Sequence, residues 1–133
     1  VQSQDLIGRK TIKCNGEFIA EYIQEIRDFA NSLDADLNFI KDATLDAATE
    51  VESVTQYVIE AARENIEFPN SAAVDYLHAV GLLSFSYMFA KIANAAKSKD
   101  GEFYQNKVAL AKYFAQRILP ELALRITKVK AGQ

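Results

Sequence analysis

The stretch SAAVDYLHAVGLLSFSYMFAKIANAAKS, Ser71 to Ser98, decides the fold. Its apolar residues, among them Val74, Leu77, Val80, Leu83, Phe85, Met88, Phe89, Ile92 and Ala95, recur at helical steps but cover more than one stripe. A helix that is apolar over much of its circumference lies at the centre of a bundle or faces a second partner. Gly81 sits in its interior, where glycine costs roughly 1 kcal/mol relative to alanine. Close approach of a neighbouring helix is the expected compensation.

Outward from this segment the helical period continues. Upstream, Phe18, Ile19, Tyr22, Ile23, Ile26, Phe29, Ala30 and Leu33 line one face of a helix beginning near Gly16. Glu17, Glu21, Glu25 and Asp28 take the other face, and the early acids suit the positive end of the helix dipole. NSLDAD loosens the pattern, so a short connection or bend is expected around Asp34. A second helix, continuous from Asp36 or restarting near Thr44, is anchored by Leu37, Ile40, Leu45, Ala48, Val51, Val54, Val58, Ile59 and Ala62. ENIEFPNS ends it: Pro69 biases Phe68 away from helix, and Asn70 or Ser71 can cap the next helix.

Downstream, KSKDGE is the next break, and Asp100 or Gly101 starts a fourth helix. Its expected inner side carries Phe103, Lys107, Leu110, Ala111, Phe114, Ile118, Leu122, Ile126 and Val129. Pro120 interrupts it. Proline lacks the amide donor and clashes one turn back, so Gln116 loses its helical acceptor role and the axis kinks. The fold class is therefore all-α: an up-down, four-helix-bundle-like domain with long helices, over residues 16–133, after a short N-terminal segment 1–15.

The totals agree. One domain fits 133 residues, and 2 Pro and 5 Gly leave helix favoured. Cys14 is the single cysteine, so no intramolecular disulfide forms, and a reducing, cytoplasmic setting is expected. No uninterrupted apolar run reaches the roughly 18 residues of a membrane span, and the N-terminus lacks a basic-then-apolar signal pattern. The net charge of -3 conceals an asymmetry. Residues 14–75 carry 14 acids against 3 bases, and residues 76–133 carry 3 acids against 9 bases. A basic half can contact an anion such as nucleic acid. The bases are spread rather than clustered, which favours acidic early helices lying beside basic late ones.

Candidate chemistry is sparse. Asp75 and His78, at i and i+3, share a helix face as half of a di-iron bundle site would require, but His78 is the only histidine. Glu50, Glu52, Glu60 and Glu64 suggest paired carboxylates, and read better as a solvated face. The aromatics Tyr76, Phe85, Tyr87, Phe89, Phe103, Tyr104, Tyr113 and Phe114 could line a cofactor pocket; at helical spacing they read better as core or interface. Lys107 either snorkels or meets a buried acid. Arg117, Arg125, Lys128 and Lys130 complement the negative end of the last helix.

Two segments carry more. FYQNKVALAKYFAQRILPELALRI, Phe103 to Ile126, resembles the closing helix of large bacterial acyl-CoA dehydrogenases of the 3-methylmercaptopropionyl-CoA dehydrogenase-like subfamily. Phe103, Tyr104, Lys107, Ala111, Phe114, Leu119, Pro120 and Glu121 fill that pattern, and AVGLLSFSYMFAKIANAA is similar to the preceding helix, Gly81 included. The opening VQSQDLIGRK resembles the segment that comes after the Tyr-Glu-Gly-Thr motif of the same family: Val1, Gln2, Asp5, Leu6, Gly8, Arg9 and Lys10 match in order, while Ser3 replaces a small alanine.

The resemblance implies the C-terminal domain of an FAD-dependent enzyme that oxidises acyl-CoA to 2,3-enoyl-CoA. Residues 1–15 would be the end of the preceding catalytic helical domain. The catalytic Glu would precede Val1, leaving no catalytic residue here; Gln2 is the one cofactor-contact candidate, and no metal is implied. The resemblance implies partners in the upstream catalytic domain and further subunits of a homo-oligomer, with acyl-CoA bound by the parent and neither membrane nor nucleic acid required. The alternative is an autonomous interaction module whose basic last helix binds an acidic partner or nucleic acid.

Overall fold

A computed structural model describes residues 16–64 and 70–131. Segment 1–15, with Gln2 and Cys14, residues 65–69, with Phe68 and Pro69, and the side chains of Ala62 and Asn70 lie outside the described residues. The chain forms α1 (Gly16–Asn31), a 3₁₀ turn (Ala35–Leu37), α2 (Asn38–Arg63), α3 (Asn70–Ala96), α4 (Glu102–Tyr113), a π turn (Phe114–Ile118) and α5 (Glu121–Ala131). No strand occurs among the described residues. The bend expected at Asp34 is the 3₁₀ turn, and α2 is continuous rather than restarting at Thr44. α4 starts after Gly101, whose φ of 113° is a left-handed conformation that glycine adopts without a Cβ penalty.

The helices run up-down. α2 and α3 form the central pair; α1 packs chiefly on α2, and α4, the π turn and α5 pack chiefly on α3 as one interrupted fourth helix. The core runs in three stretches along the bundle. At one end Val54 and Val58 meet Ala73, Tyr76 and Val129. In the middle Ile19, Ile23 and Ile26 of α1 meet Ala48 and Val51, Leu83 and Tyr87, and Phe114, Leu119 and Leu122. At the other end Leu33, Leu37 and Ile40 pack on Ala90, Ala93 and Ala111, where small side chains let α3 and α4 approach closely.

Two expectations need correction. The inner side of the fourth helix does not run through Leu110 and Ile118; Ala111 and Leu119 are buried, while Leu110 and Ile118 are exposed. For Ile118 the cause is the π turn. The Leu119 amide donates to Phe114 O five residues back (2.9 Å), so one extra residue enters the turn and the inward position moves from 118 to 119. Pro120 comes directly after, and its missing amide leaves the interrupted ladder without a donor there.

Gly81 is the second correction. A Cβ built on it meets nothing within 4 Å, so among the described residues no other helix approaches closely at that point. α3 is central on one side only. Its Ser71–Ala96 stretch is long and apolar enough to cross a membrane, yet much of it is buried against the other helices, as in a core helix.

Candidate functional site

Buried polar groups on α3 mark where chemistry could reside. Asp75 lies under α5, where its Oδ1 accepts from Arg125 Nη1 at 2.8 Å. Arg125 also donates to Glu121 Oε1, through Nε at 3.1 Å and Nη2 at 2.8 Å. The hydrogen bond to Asp75, then that to Glu121, pushes the Arg125 guanidinium above its usual range. His78, three residues on, is exposed, so Asp75 and His78 do not converge. Among the described residues no three His, Cys, Asp or Glu side chains are grouped to hold a metal.

Towards the other end of α3, Tyr87 donates to Glu25 Oε2 (2.9 Å), and Lys91 Nζ stands 4.0 Å over its ring. Tyr22 and Phe29 pack edge-on against that ring at 6.2 and 5.7 Å, and Tyr22 donates to Ser84 Oγ. Burial, with help from the Glu25 carboxylate, pushes the Tyr87 phenol up, so it is a neutral donor at physiological pH. Two buried hydroxyl pairs tie α2 to α3: Thr44 with Ser86 at 2.6 Å and Thr55 with Tyr76 at 2.8 Å. Among the described residues every buried side-chain polar atom has a protein partner.

The remaining candidates separate in the same way. Glu52 pairs with Arg27, Glu60 accepts from Gln56, and Glu50 and Glu64 are exposed, which is a solvated face rather than a carboxylate pair. Among the described residues Lys107 meets no acid; its Nζ lies 5.0 Å over the Phe103 ring one turn earlier. Tyr76, Tyr87 and Phe114 are core, Phe89 stacks on Phe114 at 4.8 Å, and Phe85, Phe103 and Tyr113 are exposed.

Late bases do pair with early acids: Lys97 bridges Asp34 (2.6 Å) and Asp36 (3.1 Å), and Arg125 holds Asp75. The charge asymmetry pointed to such pairing but not to the individual partners. Spacing within one helix carries no signal for side chains brought together from three different elements.

The buried aromatics are packed against one another, the buried polar groups are already partnered, and the indentations between helices are open grooves. What the arrangement does chemically is hold helices in register.

Comparison with known proteins identifies a family. The family described as "Acetyl-CoA dehydrogenase C-terminal like" matches residues 22–133. The broad-specificity linear acyl-CoA dehydrogenase FadE5 of Mycobacterium tuberculosis is 25% identical over 138 aligned positions, covering 92% of this chain and 23% of that protein. The chain thus spans about a quarter of the length of the curated relative it matches. With the match extending from α1 to the end of α5 on an all-helical bundle, the chain belongs to the acetyl-CoA dehydrogenase C-terminal-like family, the C-terminal domain of acyl-CoA dehydrogenases.

Proposed function

We propose that the chain serves as the C-terminal helical domain of an FAD-dependent acyl-CoA dehydrogenase of the 3-methylmercaptopropionyl-CoA dehydrogenase-like subfamily. The parent enzyme oxidises an acyl-CoA to the 2,3-enoyl-CoA in the cytoplasm. Its flavin, its acyl-CoA and its catalytic Glu belong to the upstream domains, and this domain covers the catalytic helices and contributes to subunit packing. Gln2 is the residue of this chain expected nearest the flavin.

The observation that carries the reading is the family match across 22–133. The architecture supports it, because the partnered polar groups of α3 brace helices rather than face a cavity. The test has two parts. The coding sequence immediately upstream of Val1 is read for Tyr-Glu-Gly-Thr, and the protein carrying both parts is assayed for bound FAD and acyl-CoA-dependent reduction of an electron acceptor. Upstream sequence without that motif, or stoichiometric FAD on residues 1–133 alone, overturns the assignment of roles.

A further inference from the structure

The basic half of the chain is only partly used inside the bundle. Lys97 and Arg125 are paired with acids, but among the described residues Lys107, Arg117 and Lys128 form no ion pair. These three share one side of the interrupted fourth helix. Phe103, Lys107, Leu110, Tyr113 and Arg117 succeed one another at steps of three and four residues, and Glu121, Leu124 and Lys128 continue the row along α5. All are exposed except half-buried Lys107, and Phe103, Leu110, Tyr113 and Leu124 are 64, 49, 55 and 52% exposed. Lys107 reaches outward, with its Nζ 5.0 Å over the Phe103 ring. Glu121 is the one acid of the row, and Arg125 already holds it.

We propose that this row is a peripheral docking surface for an anionic lipid bilayer, with the fourth helix lying in the plane of the headgroups. Apolar side chains and unpaired cations side by side are what an interfacial helix presents. The rings and Leu tips enter the headgroup boundary, and the long cationic side chains reach lipid phosphates. The row is the convex outer side of a helix. The grooves along α2 beside Lys130 and between α3 and α4 are lined by other residues. A peptide partner needs a groove or a sheet edge to enter, whereas a fluid bilayer conforms to a convex row.

Charge placement supports the orientation. The acid excess of residues 14–75 lies on α1, α2 and their connection, while the fourth helix packs chiefly on α3. A net charge of -3 does not bar approach, because charges more than about 8–10 Å away are largely screened at physiological salt. From Phe103 to Lys128 the row advances 25 residues, or about 38 Å at ~1.5 Å per residue. Each unpaired cation raises affinity for an anionic surface roughly fivefold, so the three together give about a hundredfold. The proposal rests on the surface of the fourth helix and stands or falls separately from the assignment of the parent enzyme.

The test is cosedimentation of the 133-residue chain with phosphatidylcholine vesicles containing about 30% phosphatidylglycerol. Binding is expected to be at least about tenfold stronger than to phosphatidylcholine alone, and to be lost between about 0.05 and about 0.5 M salt. The triple variant Lys107→Gln, Arg117→Gln, Lys128→Gln, with unchanged circular dichroism, is expected to lose at least about tenfold. Lys99→Gln with Lys112→Gln removes two cations that border the α3–α4 groove instead, and is expected to lose less than about threefold. Leu110→Ser with Leu124→Ser is expected to weaken binding several-fold by removing the apolar part. No preference for the anionic vesicles, equal loss in the two lysine-arginine sets, or indifference to the serine changes each overturns the proposal. So does a chain that ignores vesicles but binds polyglutamate through the same three cations, which reports an acidic polypeptide as the partner.

Discussion

The Thr44–Ser86 pair offers a quantitative test of how α2 is held on α3. Both residues are fully buried, and their hydroxyl oxygens lie 2.6 Å apart. Ser86→Ala removes one oxygen and leaves the Thr44 hydroxyl among apolar neighbours without a partner, at a cost of about 1–3 kcal/mol. Thr44→Val, which replaces hydroxyl by methyl at nearly constant volume, strands Ser86 at a similar cost. The double variant strands nothing. It leaves only the small gap of Ser86→Ala, so it should lose less than about 1 kcal/mol. The coupling energy, the sum of the two single losses less that of the double, is then at least about 1 kcal/mol, well above the few tenths of non-additivity expected of independent sites. Urea unfolding followed by circular dichroism, at low chain concentration to exclude association, reads all four proteins of the cycle. Each single change should lower the melting temperature by about 3–10 °C for a chain of this size. If the double variant loses the full sum of the singles, the two hydroxyls are energetically independent. Each would then be satisfied elsewhere, for instance by the carbonyl one turn back, and the reasoning fails.

Other outcomes are expected at particular residues. Leu119→Ala should destabilise by about 2–4 kcal/mol, but Ile118→Ala by under about 1 kcal/mol, because the π turn buries Leu119 (6% exposed) and leaves Ile118 out (40%); equal losses in thermal unfolding would refute the register shift. Gly101→Ala should cost about 1–2 kcal/mol for its left-handed φ, whereas Gly81→Ala should leave the monomer unchanged or up to about 1 kcal/mol more stable, as compared by chemical denaturation. The Arg27 hydrogen bond holds the Glu52 carboxyl below its ordinary range. That pair's contribution is therefore complete above the ordinary carboxylate range and lost as pH falls through the lowered value in the folded chain. Glu52 is more than half exposed and Arg27 partly so, so Arg27→Met should remove only a few tenths of a kcal/mol at about pH 7, a loss that shrinks as pH falls through the lowered Glu52 value; a pH-independent loss in the stability curve would contradict the ion-pair origin. Asp75→Ala should cost about 1–3 kcal/mol through Arg125, which loses its most buried partner; an unchanged urea midpoint would count against the Asp75–Arg125 bridge as a clamp between α3 and α5.

How much of this was legible depends on what marks a face. α1 and α2 carry acids opposite their apolar stripes, so their periodicity told which side would be buried, and Ile23, Ile26, Val51, Val54 and Val58 are core as read. The turns around Asp34 and Gly101 were legible from local chemistry for the same reason. α3 was not legible in this sense. Apolar residues on both sides leave the period without a polar reference, so nothing local distinguishes buried Leu83 and Tyr87 from exposed Phe85 and Met88. The candidate chemistry was legible mainly as sparse: His78 lacks companions in the sequence, and the structure turns it outward.

The sequence by itself determined the helices, their order, the up-down arrangement and the family resemblance, because these rest on spacing and on residues read in line. Only the tertiary structure decided which half of α3 faces water, that Pro120 is preceded by a π turn that moves the inward position from 118 to 119, and that Arg125 closes on Asp75 across 50 residues. Those outcomes depend on packing between elements distant in sequence. Burial and ion pairing are settled there by the neighbours a side chain meets, which a one-dimensional pattern does not contain.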